Sequence, residues 1–92
     1  LHARAERAEL PLARTWVDVP ELVHGVLATA DAAARARRVT LAVEAPRACD
    51  AWADEGALRQ VLLNLVDNAI KYGPEGQTVT VRVQPPTPAA DV

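Results

Sequence analysis

The stretch Gln60-Val61-Leu62-Leu63-Asn64-Leu65-Val66-Asp67-Asn68-Ala69-Ile70-Lys71-Tyr72 constrains the fold more than any other part of the chain. Leu58, Val61, Leu62, Leu65 and Ala69 recur at intervals of three and four, the period of a helix packed along one face. Leu63, Val66 and Ile70 widen the stripe, which predicts a helix covered over much of its circumference. Asn64 and Asn68 stand four apart, one turn above the other, at the margin of the apolar arc beside Val61 and Tyr72. An amide at the edge of a core needs a partner, because a buried unsatisfied one costs about 1–3 kcal/mol. Two in register form a polar ledge on an apolar wall.

Ninety-two residues suffice for one small domain. The first residue is Leu1, and the last stretch is rich in Pro, Ala and Asp, so both ends read as cut from a longer protein. There is no Phe or Met, which leaves Trp16, Trp52 and Tyr72 as the expected bulky packers. A net charge of −2 argues against a nucleic acid or an anionic membrane surface as partner. Arg35, Arg37 and Arg38 read as a cluster at a helix C-terminus, where positive charge complements the dipole. The single Cys49 excludes an internal disulfide or a cysteine metal cage and fits a reducing compartment. No apolar run approaches the roughly 20 residues of a membrane span and no signal peptide is visible, so the expected location is cytoplasmic. Whether a membrane anchor precedes residue 1 is left open.

In chain order, residues 1–10 read as the tail of a helix, stopped before Pro11. Leu12 to Val17 reads as a short extended segment. Asp18 then caps a helix with Pro20 in its first turn, running to about Arg38 with Leu22, Val26, Ala30 and Ala33 as its stripe and Val23 and Leu27 beside it. Val39 to Glu44 alternates as a strand, and Ala48 to Ala53 forms a second that is expected to pair with it as a hairpin. Asp54 caps the central helix, Gly73-Pro74-Glu75-Gly76 closes it, and Gln77 to Val83 alternates with Val79, Val81 and Val83 inward. From Gln84 on, prolines forbid regular structure. This order predicts an α+β fold, a two-layer α/β sandwich with helices on one side of a mixed sheet. His24 falls opposite Leu22 on its helix and reads as an exposed bystander, as does His2.

The run Asp54-x4-Arg59-Gln60-Val61-Leu62-x-Asn64-Leu65-x-x-Asn68-Ala69-x-Lys71-Tyr72 resembles the asparagine-box helix of sensor histidine kinases, within the gyrase, chaperone, histidine-kinase and mismatch-repair ATPase superfamily (the Bergerat fold). The flanks Val17-Asp18-Val19-Pro20-Glu21-Leu22, Gly-Pro-Glu-Gly and Thr-Val-Thr-Val match its spacing. The resemblance implies that residues 1–10 end a dimerisation helix and that residues 11–92 begin an ATP-binding domain. It implies Mg·ATP as cofactor: Asn68 would hold the Mg²⁺, Asn64 its hydration shell or a phosphate, Lys71 a phosphate, and Tyr72 the adenine face. The chemistry is consistent. Mg²⁺ takes few protein ligands at nucleotide sites, and a neutral amide oxygen supplies one without repelling triphosphate. A cation and a flat apolar ring suit the rest of a nucleotide. Asp67 and Arg59 read as surface or interdomain residues, and a Lys71–Asp67 pair at i,i+4 competes with phosphate for Lys71.

Superfamily members that hydrolyse ATP with water carry a glutamate base one turn before the metal-binding asparagine. Asn64 occupies that place and cannot accept a proton at neutral pH, which favours phosphoryl transfer to a protein histidine. The resemblance further implies a response regulator as partner and homodimerisation through upstream helices. Two other readings stand: a non-catalytic interaction module, a degenerate kinase remnant working through its helix faces, and a relative that phosphorylates serine in an anti-sigma partner. The family's Asp-x-Gly-x-Gly box and its His-Glu phosphoacceptor motif do not occur in these residues. The 92 residues therefore read as about half a nucleotide domain. Isothermal titration of this piece with Mg·ATP is expected to show weak binding or none, and tight binding would overturn that expectation.

Overall fold

A computed structural model describes residues 13–85. The expected helix tail at residues 1–10 lies outside them, as does most of the proline-rich end. The elements are β1 (Arg14–Asp18), α1 (Val19–Thr29), α2 (Asp31–Ala36), β2 (Thr40–Glu44), β3 (Asp50–Asp54), α3 (Glu55–Tyr72) and β4 (Thr78–Arg82). The architecture is α+β, with helices packed on small sheets of mixed sense.

Two of the junctions are direct: β1 runs into α1 and β3 into α3 without a loop. Each turn is made by an aspartate in extended conformation. The Asp18 carboxylate accepts from Glu21 N–H at 3.1 Å, and the Asp54 carboxylate accepts from Ala57 N–H at 2.9 Å. Side-chain caps of this kind satisfy amides that a helix start leaves without intrahelical partners. Pro20 fits the first turn of α1, where no backbone donor is needed.

The single helix expected from Asp18 to Arg38 is instead two. The Thr29 hydroxyl donates back to Gly25 O at 3.1 Å, a contact that competes with the helical ladder and bends it, and the chain turns at Ala30 before α2 begins. Ala34 is buried where Ala33 was expected to be, on the Val23 side of the stripe, while Leu22, Val23 and Val26 fill the core as read.

The expected hairpin of β2 with β3 does not form. β3 pairs antiparallel with β1 in the register Arg14↔Asp54, Trp16↔Trp52 and Asp18↔Asp50, and β2 pairs parallel with β4 in the register Leu41↔Val79 and Val43↔Val81. The parallel pairing puts the apolar sides of β2 and β4 against one helical layer, where Leu41, Val79 and Val81 pack on the core. A parallel pair needs a crossover, and α3 lies within the connection. Burial, not proximity in the chain, selects the partners.

The core cluster is Val26, Ala34, Val39, Val66 and Ile70, with Leu27, Leu62 and Leu63 packed around it. The aromatic residues do not supply its bulk, contrary to expectation. Trp16 and Trp52 face each other across the β1–β3 ladder with centroids 5.3 Å apart and planes tilted by 59°, exposed on the side opposite Val17. Strand alternation explains this, since directly opposed residues share a face and Val17 occupies the buried one.

Arg38 holds φ = 58°, left-handed for a non-glycine residue, where α2 gives way to β2. That conformation costs an ordinary residue about 1–2 kcal/mol, against roughly 0.5–1 kcal/mol of extra chain entropy for glycine. Arg38→Gly is therefore expected to stabilise the fold by up to about 1 kcal/mol, read as a higher denaturant midpoint at unchanged slope.

Candidate functional site

α3 carries the candidate site, and its two sides do different work. Val66 and Ile70 are buried, and at about 100° per residue they point away from Asn64, Asn68, Lys71 and Tyr72, which share an arc of about 100° on the far side. Burying each of the two aliphatic side chains contributes about 1.5–3 kcal/mol, so rotation of the helix about its axis is strongly opposed. The structure thus brings the four residues singled out in the sequence onto one face, all of them exposed. The helix is less covered than its composition suggests. Val61 and Leu65 are 56% and 60% exposed, and Tyr72 is 82% exposed.

Val61 falls within the arc of the ledge, beside Asn68 and Tyr72, and Leu65 lies just outside it toward the buried face. Leu58, Val61, Leu62 and Leu65 line an open groove of about 320 Å³ against Leu22 of α1 and Val81 of β4. A polar ledge and an apolar groove therefore run side by side along one helix.

Along the ledge, Asn64 Oδ1 accepts from Gln60 Nε2 at 3.2 Å. This leaves the Asn64 amide group facing solvent. No other described side chain bonds to Asn68. Lys71 Nζ pairs with Asp67 Oδ2 at 3.2 Å, as the spacing allowed, and both partners are about half exposed. Such a pair is worth about 0.3–0.5 kcal/mol, so Lys71 turns toward another anion at little cost. Arg59 is engaged by Glu55 at 2.7 Å, which agrees with its reading as a surface residue, and His24 is exposed on α1. No group of three or more His, Cys, Asp or Glu side chains among the described residues could hold a metal ion. A cation at the ledge would meet one or two neutral carboxamide oxygens, a donor set that fits Mg²⁺ when phosphates and water complete its shell.

Two supporting residues escaped the sequence reading. Arg37 was assigned to the end of its own helix, yet its Nη2 donates to Gly73 O at the end of α3, at 2.9 Å. Gln77 reaches back from the other side, with Nε2 donating to Ala69 O at 2.8 Å. Basic residues cap helix ends often enough to suggest a role for Arg37, but nothing local says which helix.

Comparison with known proteins bears on the family and the fold. Residues 53–92 match the family described as histidine kinase-, DNA gyrase B-, and HSP90-like ATPase. The chain is 36% identical over 84 residues to sensor histidine kinase Hik2 of Thermosynechococcus vestitus, covering 90% of this chain and 22% of that protein. It is 59% identical over 32 residues to the adaptive-response sensory kinase SasA of Gloeothece citriformis, covering 35% of this chain and 8% of that protein. Among solved structures, the catalytic domain of histidine kinase ThkA superposes with a TM-score of 0.69 at 25% identity, over 78% of this chain and 51% of that one. Acinetobacter baumannii histidine kinase AdeS superposes with a TM-score of 0.73 at 23% identity, over 89% of this chain and 42% of that one. The chain is part of an ATPase domain of the histidine-kinase type, and it spans about a fifth of the length of Hik2.

The N-cap of α3 supplies a test of the electrostatics. The Asp54 carboxylate accepts N–H bonds from Ala57 and Ala13, which hold its pKa below the ordinary 3.8. A depressed folded-state pKa contributes stability that is present above the unfolded value and is lost as pH falls through the folded one. Between about pH 5 and 2 the wild type is expected to lose stability more steeply than Asp54→Asn, measured as urea midpoints of the two proteins.

Proposed function

We propose that this chain supplies the asparagine-helix half of an Mg·ATP site in a sensor histidine kinase that transfers the γ-phosphoryl group of ATP to a protein histidine. The observation that carries the reading is the placing of Asn64, Asn68, Lys71 and Tyr72 on one exposed face of α3, beside an apolar groove. A ligand with a charged end and a flat apolar end suits such a surface, since small-molecule sites combine apolar walls with a few placed polar groups.

In this reading the Asn68 carboxamide oxygen would hold Mg²⁺, and the Asn64 amide, one turn earlier, would bond to a water of the ion's shell or to a phosphate. The chemistry Mg²⁺ would supply there is neutralisation of charge on the phosphoryl group in transfer. Lys71 leaves its weak pair with Asp67 to offset phosphate charge, and Tyr72 lays its ring against the base. Asn64 cannot act as a general base, so it does not activate water, and hydrolysis is disfavoured relative to transfer. Because α3 is anchored by Val66 and Ile70 on its opposite side, the ligating face is ordered before any ligand arrives.

The family match supports a nucleotide as ligand, and the kinase relatives support a protein histidine as acceptor. A response regulator is the proposed downstream partner, supported by the likeness to ThkA in its complex with the response regulator protein TrrA, with a TM-score of 0.72 at 24% identity. The parent is proposed to act as a dimer through helices upstream of this chain. No described helix is long and apolar enough to cross a membrane.

The exposure of Val61 and Leu65 favours one competing reading, a non-catalytic module that binds a protein through this apolar strip. One variant separates the two. In the intact kinase, Asn68→Ala is expected to reduce Mg²⁺-dependent autophosphorylation by on the order of 100-fold or more, with circular dichroism and melting temperature unchanged. Full activity in Asn68→Ala would remove the residue from this role and leave the interaction module standing.

A further inference from the structure

The exit of α3 is held from outside the helix. Its last backbone bond runs from Gly73 N–H to Ala69 O at 3.2 Å. The same oxygen accepts from Gln77 Nε2 at 2.8 Å, and the Gln77 side chain lies so close over Gly73 that a Cβ there would collide with it. Arg37 then brackets the turn at both ends. Its Nη2 donates to Gly73 O at 2.9 Å, while its own carbonyl accepts from Gly76 N–H at 3.2 Å. The left-handed turn at Arg38 lets the chain leave Arg37 and join β4, where Thr40 N–H donates to Gln77 O at 2.9 Å. The guanidinium thus sits against the negative end of the α3 dipole, and its Nε is buried without a partner among the described residues.

Such a bracket matters little to the middle of the helix, where Asn64 and Asn68 are held by the regular ladder. It matters to the final turn, because helix ends fray where their carbonyls lack partners. That turn carries Lys71 and Tyr72. We propose that Arg37 is a positioning residue that anchors the last turn of α3 through the Gly73 carbonyl, so that Lys71 and Tyr72 are presented to the nucleotide in one geometry. The inference rests on the nucleotide reading above, and it assigns to α2 and its turn, which are remote in sequence from the asparagine helix, a share in nucleotide affinity.

The test compares the intact kinase with Arg37→Met, which keeps the apolar stem and removes the donors, and with Arg37→Lys, which restores one donor. Each is made alone and on a Tyr72→Ala background. Arg37→Met is expected to raise KM for ATP on the order of 3–10-fold with kcat within about twofold, and Arg37→Lys to recover most of the loss. On the Tyr72→Ala background Arg37→Met should raise KM by clearly less than it does alone, leaving only the share that acts through Lys71. An unchanged KM in Arg37→Met, or the same increase with and without Tyr72, would overturn the role. If Arg37→Met does not fold, Gln77→Ala removes the neighbouring donor and is read in the same way. Amide exchange at Gly73 should accelerate when either anchor is lost, and unchanged exchange also overturns the clamp. A Tyr72→Ala kinase with wild-type KM would instead sink the nucleotide reading, while faster Gly73 exchange in Arg37→Met would still show the clamp.

Discussion

Everything in this domain depends on two aliphatic side chains, Val66 and Ile70, seated among Val26, Ala34 and Val39. They fix which way α3 faces. With about 1.5–3 kcal/mol held in each burial, a turn of the helix would withdraw both from the core at a cost of several kcal/mol. The amides, the lysine and the tyrosine are thereby directed outward, with only weak contacts along the same helix, Gln60 to Asn64 and Asp67 to Lys71, of their own. A site built this way is positioned by the side of the helix it does not use.

The rest of the fold serves the same end by local means. Aspartates at the ends of β1 and β3 turn the strands directly into helices, so the start of α3 is located by the ladder that precedes it. At the other end, Arg37 and Gln77 close the helix from two directions. The helix is therefore held at its start, along its buried side and at its exit. What remains open is the band containing Val61 and Leu65, and that band adjoins the ledge.

Much of this was legible in the residues. Strand alternation at Thr78–Arg82, both aspartate caps and the glycine-bounded turn after Tyr72 are local signals with local causes, and each was found where it was read. The four candidate residues were singled out by the family resemblance, and helical spacing puts them together on one exposed face. The misreadings share a different cause. The hairpin of β2 with β3 was inferred from nearness in the chain, yet β3 pairs with β1 and β2 with β4. The long second helix was inferred from its cap and one continuous apolar stripe, and the chain turns at Ala30 within it, next to a threonine whose hydroxyl bonds back to Gly25. The tryptophans were assigned to the core by size, although strand parity gave the inner face to Val17.

The chain by itself determined the elements, their caps and the alignment of Asn64 with Asn68, because these follow from backbone periodicity and from hydrogen bonds between residues a few positions apart. Tertiary structure decided which stripe of α3 is buried, which strands pair, and that Arg37 serves the end of a helix other than its own. Those choices turn on the apolar area removed when distant segments meet, a quantity that no window of the sequence contains.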